Sequence, residues 1–268
     1  MQKRLEVFTF ETPEKLQMYM RRIILSLIAF LLGGFYAAAQ MRPEYTEVWE
    51  PKPAVVTPGE LPGGAPSDAI ILFDGSDLSA WVSARDGGPA AWPVAGGILT
   101  VDKNAGDIHT KETFGSYQLH VEWCVPPMDE AFDGQGRGNS GVYLQAGHYE
   151  LQILDSYGHE TYANGQAGSV YKQRAPLVNA MLPPGAWNVF DIIYNAPVFN
   201  DDGTFRCPPR VTVLHNGVLI QNDTVIYGNT RYLGLPDVTP HGDCRIGLQA
   251  HGDRSPAISF RNIWIRRL

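Results

Sequence analysis

The sequence has few cysteines, few charges and no nucleotide-binding motif, and each shortage excludes a class of protein. Three cysteines allow at most one intramolecular disulfide, and their spacing fits no zinc finger or ribbon. Charged residues make up 18% of the chain and the net charge is −7, so no basic footprint for a nucleic acid is present. The chain also has neither a glycine-rich phosphate loop nor a nucleophile elbow. The function of this mildly acidic protein must therefore depend on another kind of site.

The longest apolar run lies near the N-terminus and is short for a membrane span. Two arginines precede residues 23–36, and three alanines ending at Ala39 follow them. A basic segment, a short apolar core and small residues at a cleavage point are typical of a secretory signal peptide, whereas a spanning helix needs roughly 20 apolar residues. We therefore predict a signal peptide over residues 1–39 and export to the periplasm or the cell exterior, with no stable membrane anchor after cleavage. Translation from Met20 would give a signal of ordinary length.

The stretch that follows is rich in proline and glycine. Residues 40–67 contain six prolines and three glycines. Neither a helix nor a central strand tolerates that density of proline. The composition predicts an extended tether over residues 40–67, followed by one folded domain over residues 68–268.

The predicted domain consists of short runs that alternate apolar with polar residues, separated by turn signals. This pattern indicates strands, and no stretch shows a sustained helical period. Asn216-Gly217 between two apolar runs is a strong signal for a two-residue hairpin. The predicted strands are 70–73, 98–101, 117–125, 140–145, 149–154, 187–194, 210–214, 218–221, 245–250 and 258–266. About ten strands in roughly 200 residues predict an all-β fold, a two-sheet sandwich of the jelly-roll type.

A carboxylate and an imidazole on two predicted strands are the candidate catalytic groups. In the strand 149–154, Leu151 and Ile153 face the core, so Glu150 faces the opposite side. The alternation in 245–250 likewise turns His251 outward, and a neutral histidine is a suitable base near neutral pH. We predict that Glu150 and His251 meet in one groove and divide the acid and base roles. The alternatives are a solvated strand carboxylate and a loop histidine that caps a turn.

Other polar and aromatic residues are candidates for substrate binding. Gln152 shares the face of Glu150, and Gln249 shares that of His251; an amide can bind sugar hydroxyls or orient a carboxylate. Asp155 reaches the same face only through a bulge or at the strand end, and otherwise starts a turn. The remaining candidates are Asn139 and Ser140 as hydrogen-bonding groups, Arg137 and Lys111 as oxyanion stabilisers, and Tyr143, Tyr171 and Trp187 as stacking platforms. Alternatively, Asn139 only shapes a turn, the two basic side chains are solvated and the three aromatic residues belong to the core.

Several motifs follow one another in the order typical of a known family. They are Leu72-Phe73-Asp74-Gly75, Asp77-Leu78-Ser79-Ala80-Trp81, Phe114-Gly115-Ser116-Tyr117, Asn139-Ser140-Gly141-Val142, Tyr149-Glu150-Leu151-Gln152-Ile153-Leu154-Asp155, Gly168-Ser169-Val170-Tyr171, Pro184-Gly185-Ala186-Trp187-Asn188 and Phe260-Arg261-Asn262-Ile263. Together they resemble the 3-keto-disaccharide hydrolase domain of exported bacterial proteins, over nearly everything after the tether. The resemblance implies a concanavalin A-like jelly roll, in agreement with the strand pattern. Ser169 and Ala186 depart from the family's more frequent residues, and residues 198–209 resemble an insertion.

The resemblance also implies a reaction. A ketone at C3 of a sugar acidifies the hydrogen on C2; a base removes it, and the enolate expels the aglycone from C1 before water adds to the double bond. We therefore expect a hydrolase or lyase that cleaves 3-keto-glycosides.

Two alternative functions stay open. The first is a conventional laminarinase-like glycosidase, because Glu150-x-Gln152-x-x-Asp155 distantly resembles a Glu-x-Asp-x-x-Glu catalytic strand. The second is a lectin-like module that binds glycans without catalysis. Histidines are scattered without metal-ligand spacing, so we predict no cofactor, although a divalent metal assembled from distant strands stays open.

Overall fold

The computed structural model describes residues 12–39 and 42–268, which divide into two units. The first unit ends at Val55 and contains helix α1 (Pro13–Ala39) and a 3-10 turn (Pro43–Thr46). Within the described ranges, no helix has both the length and the apolar character needed to cross a bilayer. The signal peptide and its cleavage stay a prediction, because residues 1–11, 40 and 41 lie outside the described residues.

The second unit, Val56–Leu268, is an antiparallel β sandwich. Its strands are β1 (Ile70–Phe73), β2 (Trp81–Ser83), β3 (Val94–Ala95), β4 (Ile98–Thr100), β5 (Ile108–Thr110), β6 (Tyr117–Cys124), β7 (Ser140–Gln145), β8 (Tyr149–Ile153), β9 (Trp187–Asn195), β10 (Val198–Phe199), β11 (Phe205–Cys207), β12 (Arg210–His215), β13 (Val218–Val225), β14 (Gly247–Leu248) and β15 (Ser259–Arg267). The larger sheet has the order β13-β12-β9-β6-β15-β4-β3, with β1 also on β15, and the smaller has the order β2-β5-β14-β7-β8. Strands β10 and β11 form a separate ribbon. The predicted all-β, two-sheet sandwich is confirmed.

The core lies between the two sheets. Strand β6 of the larger sheet contributes Leu119 and Val121, and strand β7 of the smaller sheet contributes Val142, all completely or almost completely buried in one cluster. The hydroxyl of Tyr117 donates across the core to the carbonyl of Leu144 (2.7 Å). Burial of each large apolar side chain contributes about 1.5–3 kcal/mol. Since alternate residues of β7 and β8 are used for this core, the residues between them lie on the outer face of the smaller sheet.

All ten predicted strands occur, with ends that differ by a few residues. The predicted hairpin is also present: Asn216 and Gly217 have φ of 52° and 78°, the positive values that a tight type I′ turn requires. The strands missed in the sequence are β2, β3, β5, β10 and β11, each of two or three residues. Runs of that length are too short to show an alternating period.

The last part of the predicted tether packs on the sandwich. The carbonyl of Gly63 accepts hydrogen bonds from Asn262 Nδ2 (2.9 Å) and Trp264 Nε1 (2.8 Å). Gly63 has a φ of +79°, and a Cβ there would lie 2.9 Å from the ring of His120, so glycine is needed for this approach. The second unit accordingly begins at Val56, within the stretch predicted as tether.

Candidate active site

The outer face of the smaller sheet carries a pocket of about 240 Å³. It is lined by Asn139, Tyr143, Glu150, Gln152, Tyr171, Thr230, Tyr232, Gln249 and His251. Strands β7 and β8 and the segment after β14 supply most of these side chains, because each of them uses its alternate residues for the core. The structure thus brings Glu150 and His251 into one pocket. The same pocket contains the predicted binding residues Asn139, Gln152, Gln249, Tyr143 and Tyr171.

Strand β8 is the edge strand of its sheet, and two loop segments cover it. The backbone N–H of Tyr171 donates to the carbonyl of Glu150 (3.0 Å), and that of Gln152 donates to the carbonyl of Ser169 (2.9 Å). The hydroxyl of Thr230 accepts from the N–H of Glu150 (3.0 Å). This cover satisfies the free edge and leaves Glu150 only 5% exposed, so it is not the solvated carboxylate that the sequence left as an alternative.

The carboxyl group of Glu150 is buried among neutral and acidic groups. Burial raises its pKa to about 8; the negative charge of Asp107 adds to the rise, and a hydrogen bond from Gln249 opposes it. With its nitrogen turned toward the carboxyl group, the Gln152 amide donates to Glu150 Oε1 (3.3 Å) and to the Ser140 carbonyl (3.0 Å). A carboxyl group in this environment is mostly protonated at neutral pH and can donate a proton.

Gly141 makes room for the Glu150 carboxyl group. It pairs with Gln152 across the β7–β8 ladder, and a Cβ at this position would lie 2.6 Å from Glu150 Oε1. The group that approaches Gly141 closely is the side chain of Glu150. Any larger residue would displace the carboxyl group, whose flexible stem can move.

His251 is held by an ionised aspartate. Burial alone raises the pKa of Asp253, but hydrogen bonds from His251, Ser255 and Lys103 outweigh it and lower the pKa to about 2. His251 Nδ1 donates to Asp253 Oδ2 (2.9 Å), and Lys103 Nζ contacts Asp253 Oδ1 (3.0 Å). Because Nδ1 is used in this way, Nε2 is the ring nitrogen left to accept a proton. The arrangement is that of a histidine base positioned by a carboxylate.

Amide and hydroxyl groups complete the pocket. Gln249 Nε2 donates to the hydroxyl of Tyr143 (3.0 Å), while Gln249 Oε1 is buried and has no hydrogen-bond partner among the described residues. Asn139 is fixed by a bond from its Nδ2 to the carbonyl of Gln135 (2.8 Å). At the rim, the hydroxyl of Tyr171 bonds to that of Tyr162 (2.7 Å). Such groups can bind several hydroxyls of one sugar ring.

Besides Trp187, four predicted site residues lie outside this pocket. Arg137 and Asp155 pair with each other (Nε–Oδ2 2.6 Å) at 4% and 1% exposure, and Asp155 also accepts from the N–H of Tyr157 (3.1 Å), so it forms the turn named as its alternative. Ser140 is fully buried and donates to the carbonyl of Gln249 (2.7 Å). Lys111 lines a separate cavity beside Trp81. A buried pair is satisfied internally, which is why neither partner reaches a ligand.

Trp187 is not a stacking platform of this pocket either. It lies on β9 in the larger sheet and is half-buried, and the guanidinium of Arg261 lies over its ring at 4.2 Å. The ring face is thereby occupied by a cation of the protein itself.

Five residues that line this pocket or support its side chains were not predicted from the sequence. Thr230 and Tyr232 belong to a loop without periodicity, and Asp107 precedes a strand too short to recognise, so no local signal marks them. Lys103 is distant in sequence from Asp253 and meets it only through folding. Asp253 itself had a signal, because a histidine two residues before an aspartate on a turn can bond to it.

The pocket on this sheet face combines a buried carboxyl group, an imidazole and several amides. Such a set of groups suits a hydroxyl-rich ligand, as in carbohydrate-acting proteins. Residues 68–266 match the family described as the 3-keto-alpha-glucoside-1,2-lyase-like domain, and the chain belongs to that family. The resemblance found in the sequence motifs is thereby confirmed.

Solved structures agree with this assignment. A protein of Parabacteroides distasonis, provisionally described as a glycosyl hydrolase, is 56% identical; the match covers 86% of this chain and 98% of that one with a TM-score of 0.81. A second protein of the same organism with the same description is 22% identical over 75% and 99% of the two chains, and its TM-score of 0.53 shows the fold alone. No curated protein gives a significant match. The family and the first structure support a glycoside-acting enzyme with a glycan substrate.

The buried pair predicts a large stability effect for Asp155→Asn. Removing one charge of a buried ion pair leaves the other unpaired, so the free energy of unfolding should fall by about 3–5 kcal/mol. Chemical denaturation of the wild type and the variant measures this loss. Asp223→Asn, which breaks the exposed pair with Arg210, is the matched control and should change little. Equal effects of the two substitutions would contradict a structural role for Asp155.

The raised pKa of Glu150 predicts a pH-dependent gain from Glu150→Gln. The folded protein keeps this proton up to about pH 8, whereas an unfolded chain loses it near pH 4.3, so the wild type loses stability as the pH rises between these values. The variant lacks this loss, so its free energy of unfolding relative to that of the wild type should rise from pH 5 to pH 9. Thermal melting at both values tests this. The exposed Glu112→Gln should show no such growth; a pH-independent effect of Glu150→Gln would contradict the prediction.

Proposed function

We propose that this chain is an exported enzyme that cleaves 3-keto-glycosides by removal of the C2 proton and elimination of the aglycone. The observation that carries the proposal is the presence, in one pocket, of a carboxyl group with a pKa of about 8 and an imidazole oriented by an ionised aspartate. These are the proton donor and the base that the reaction requires. The pocket volume, at the small end for ligand sites, suits one sugar ring.

In the proposed reaction, Nε2 of His251 takes the proton from C2 of the keto sugar. The C2–H electron pair forms an enolate with the C3 ketone, and the hydroxyl of Tyr143 and nearby amides donate to the oxyanion. The enolate then collapses, the C1–C2 double bond forms and the C1–O bond breaks. Glu150 gives its proton to the departing aglycone oxygen. Addition of water across the double bond would complete a net hydrolysis and return both groups to their starting protonation states.

A glycan-binding module is the second candidate. The observation that favours it is the rim, where Tyr171 and the largely exposed Tyr232 flank a pocket rich in amides. Exposed tyrosines can stack on pyranose rings without any catalysis. A conventional glycosidase has less support, because it needs two carboxyl groups across the glycosidic bond, and among the pocket-lining residues Glu150 is the one with a carboxyl group.

A matched pair of substrates separates the candidates. The wild type should consume an aryl 3-keto-glucoside and leave the unoxidised aryl glucoside intact, as measured by release of the aryl alcohol. Glu150→Gln and His251→Ala should each lower kcat/KM about 10²–10⁴-fold, the usual contribution of one acid or base group.

Glu112→Gln, an exposed residue paired with Arg267, is the control and should keep full activity. Cleavage of the unoxidised glucoside would favour the conventional glycosidase. Saturable binding of the sugar without turnover, unchanged in Glu150→Gln, would favour the binding module.

The role of Glu150 as proton donor predicts the alkaline side of the pH profile. Because the protonated form is the active one, kcat/KM should fall as the pH rises through about 8. Gly141→Ala should lower kcat more than it changes KM and should move this alkaline limb, since the new methyl group displaces the carboxyl group. Initial rates between pH 5 and pH 10 measure both effects. Activity that instead rises through pH 8 would assign Glu150 as the base.

A further inference from the structure

The turn that joins β7 to β8 carries a second cluster of chemically active side chains, outside the pocket. His148 lies in this turn, and His241 and Cys244 lie in the loop that precedes β14. One ring nitrogen of each histidine and the sulfur of Cys244 lie within 4.8 Å of one another. All three residues are half-buried, and Cys244 is a free thiol. We call these three residues the His-His-Cys cluster.

We propose that the His-His-Cys cluster binds a divalent transition metal of the zinc type, with a water molecule as the fourth ligand. The geometry of one edge supports this directly, because Cys244 Sγ lies 3.5 Å from His241 Nδ1. A tetrahedral zinc ion with a Zn–S bond of about 2.3 Å and a Zn–N bond of about 2.0–2.1 Å places its sulfur and nitrogen ligands about 3.5 Å apart. The two atoms are therefore already at the spacing that a shared metal requires.

Both histidines have a partner for the ring nitrogen that would not bind the metal. His148 Nδ1 donates to Asn229 Oδ1 (2.8 Å), which leaves Nε2 as the ligand. The hydroxyl of Tyr149 contacts His241 Nε2 (2.9 Å), while Nδ1 contacts both Cys244 Sγ (3.5 Å) and the Gly242 carbonyl (2.7 Å). Outer hydrogen bonds of this kind fix the orientation of metal-binding histidines and raise their affinity.

The donor set selects the metal. Two imidazoles and a thiolate suit Zn²⁺ or Co²⁺, whereas Ca²⁺ and Mg²⁺ take oxygen ligands. On binding, the S–H bond of Cys244 breaks, its proton leaves to solvent and the sulfur–metal bond forms, with no change in oxidation state. His241 changes tautomer at the same time. Nδ1, which contacts the Gly242 carbonyl (2.7 Å), loses its proton, and Nε2 gains one from solvent. The new Nε2–H then donates a hydrogen bond to the hydroxyl oxygen of Tyr149.

The His-His-Cys cluster lies next to the wall of the pocket, because only Tyr149 separates His148 from Glu150 in the chain. The N–H of Thr230 donates to the carbonyl of His148 (2.6 Å), and Asn229 is bonded to the His148 ring. A metal held by His148 and His241 would join the β7–β8 turn to both ends of the loop that carries Thr230 and Tyr232. The expected role is structural: the ion fixes the position of this loop. The inference is independent of the reaction proposed for the pocket.

Cobalt binding tests the site without any assay of activity. The full chain, reduced and stripped of metal, should bind one Co²⁺ and develop a thiolate-to-cobalt charge-transfer band, which equimolar Zn²⁺ removes. The band should be absent in Cys244→Ser and retained in Cys207→Ser, whose cysteine is an exposed thiol outside the cluster. Loss of one histidine ligand in His241→Gln should weaken Co²⁺ binding more than about tenfold, because removing even an outer-shell partner costs 10–100-fold.

A second measurement covers variants that fold poorly. Zn²⁺ should raise the melting temperature of the wild type and of His159→Gln, a loop histidine outside the cluster, but not that of His148→Gln. A folded wild type without a charge-transfer band would overturn the proposal. So would a band that persists in Cys244→Ser, or a zinc-dependent shift that is equal in His148→Gln and His159→Gln.

Discussion

The site depends on one constraint, the burial of a carboxyl group without a cation beside it. An ionised carboxylate is costly to bury, and the chain meets that cost by keeping Glu150 protonated, with a pKa near 8. The surroundings follow from this requirement: Gln249 and Gln152 are neutral amides, Gly141 leaves space for the carboxyl group, and loop segments exclude water. A lysine or arginine in contact would lower the pKa and remove the proton that a donor needs.

Three carboxyl groups of the sandwich have three different electrostatic environments. Glu150 is neutralised by protonation, Asp155 is neutralised by the buried guanidinium of Arg137, and Asp253 stays ionised through Lys103 and its other donors. These environments give different properties to groups that look alike in the sequence: a buried protonated carboxyl group, a structural ion pair and an ionised carboxylate bonded to an imidazole. The position of each carboxyl group relative to the sheet edge and its loops makes the difference.

Much of the fold followed from local patterns. The strands β6, β8 and β9 each alternate over five or more residues, which is enough to indicate a strand and its buried face, and the Asn216-Gly217 pair predicts its turn directly. The short strands escaped because two or three residues contain no period. The packing of Gly63 on Trp264 also escaped, since a proline-rich segment gives no signal of which surface it will meet.

The sequence by itself determined the side of the sheet on which Glu150 and Gln152 lie, because the pleat of a strand alternates side chains whatever the rest of the chain does. It also carried the motifs that identify the family. Only the tertiary structure decided which of the outward residues meet: strand order brought β14 beside β7 and so His251 toward Glu150, while Arg137 and Asp155 were drawn into a pair of their own. Loops from distant parts of the chain added Thr230 and Asp107 and buried the carboxyl group. Burial and pairing depend on such non-local contacts, and no local pattern of residues specifies them.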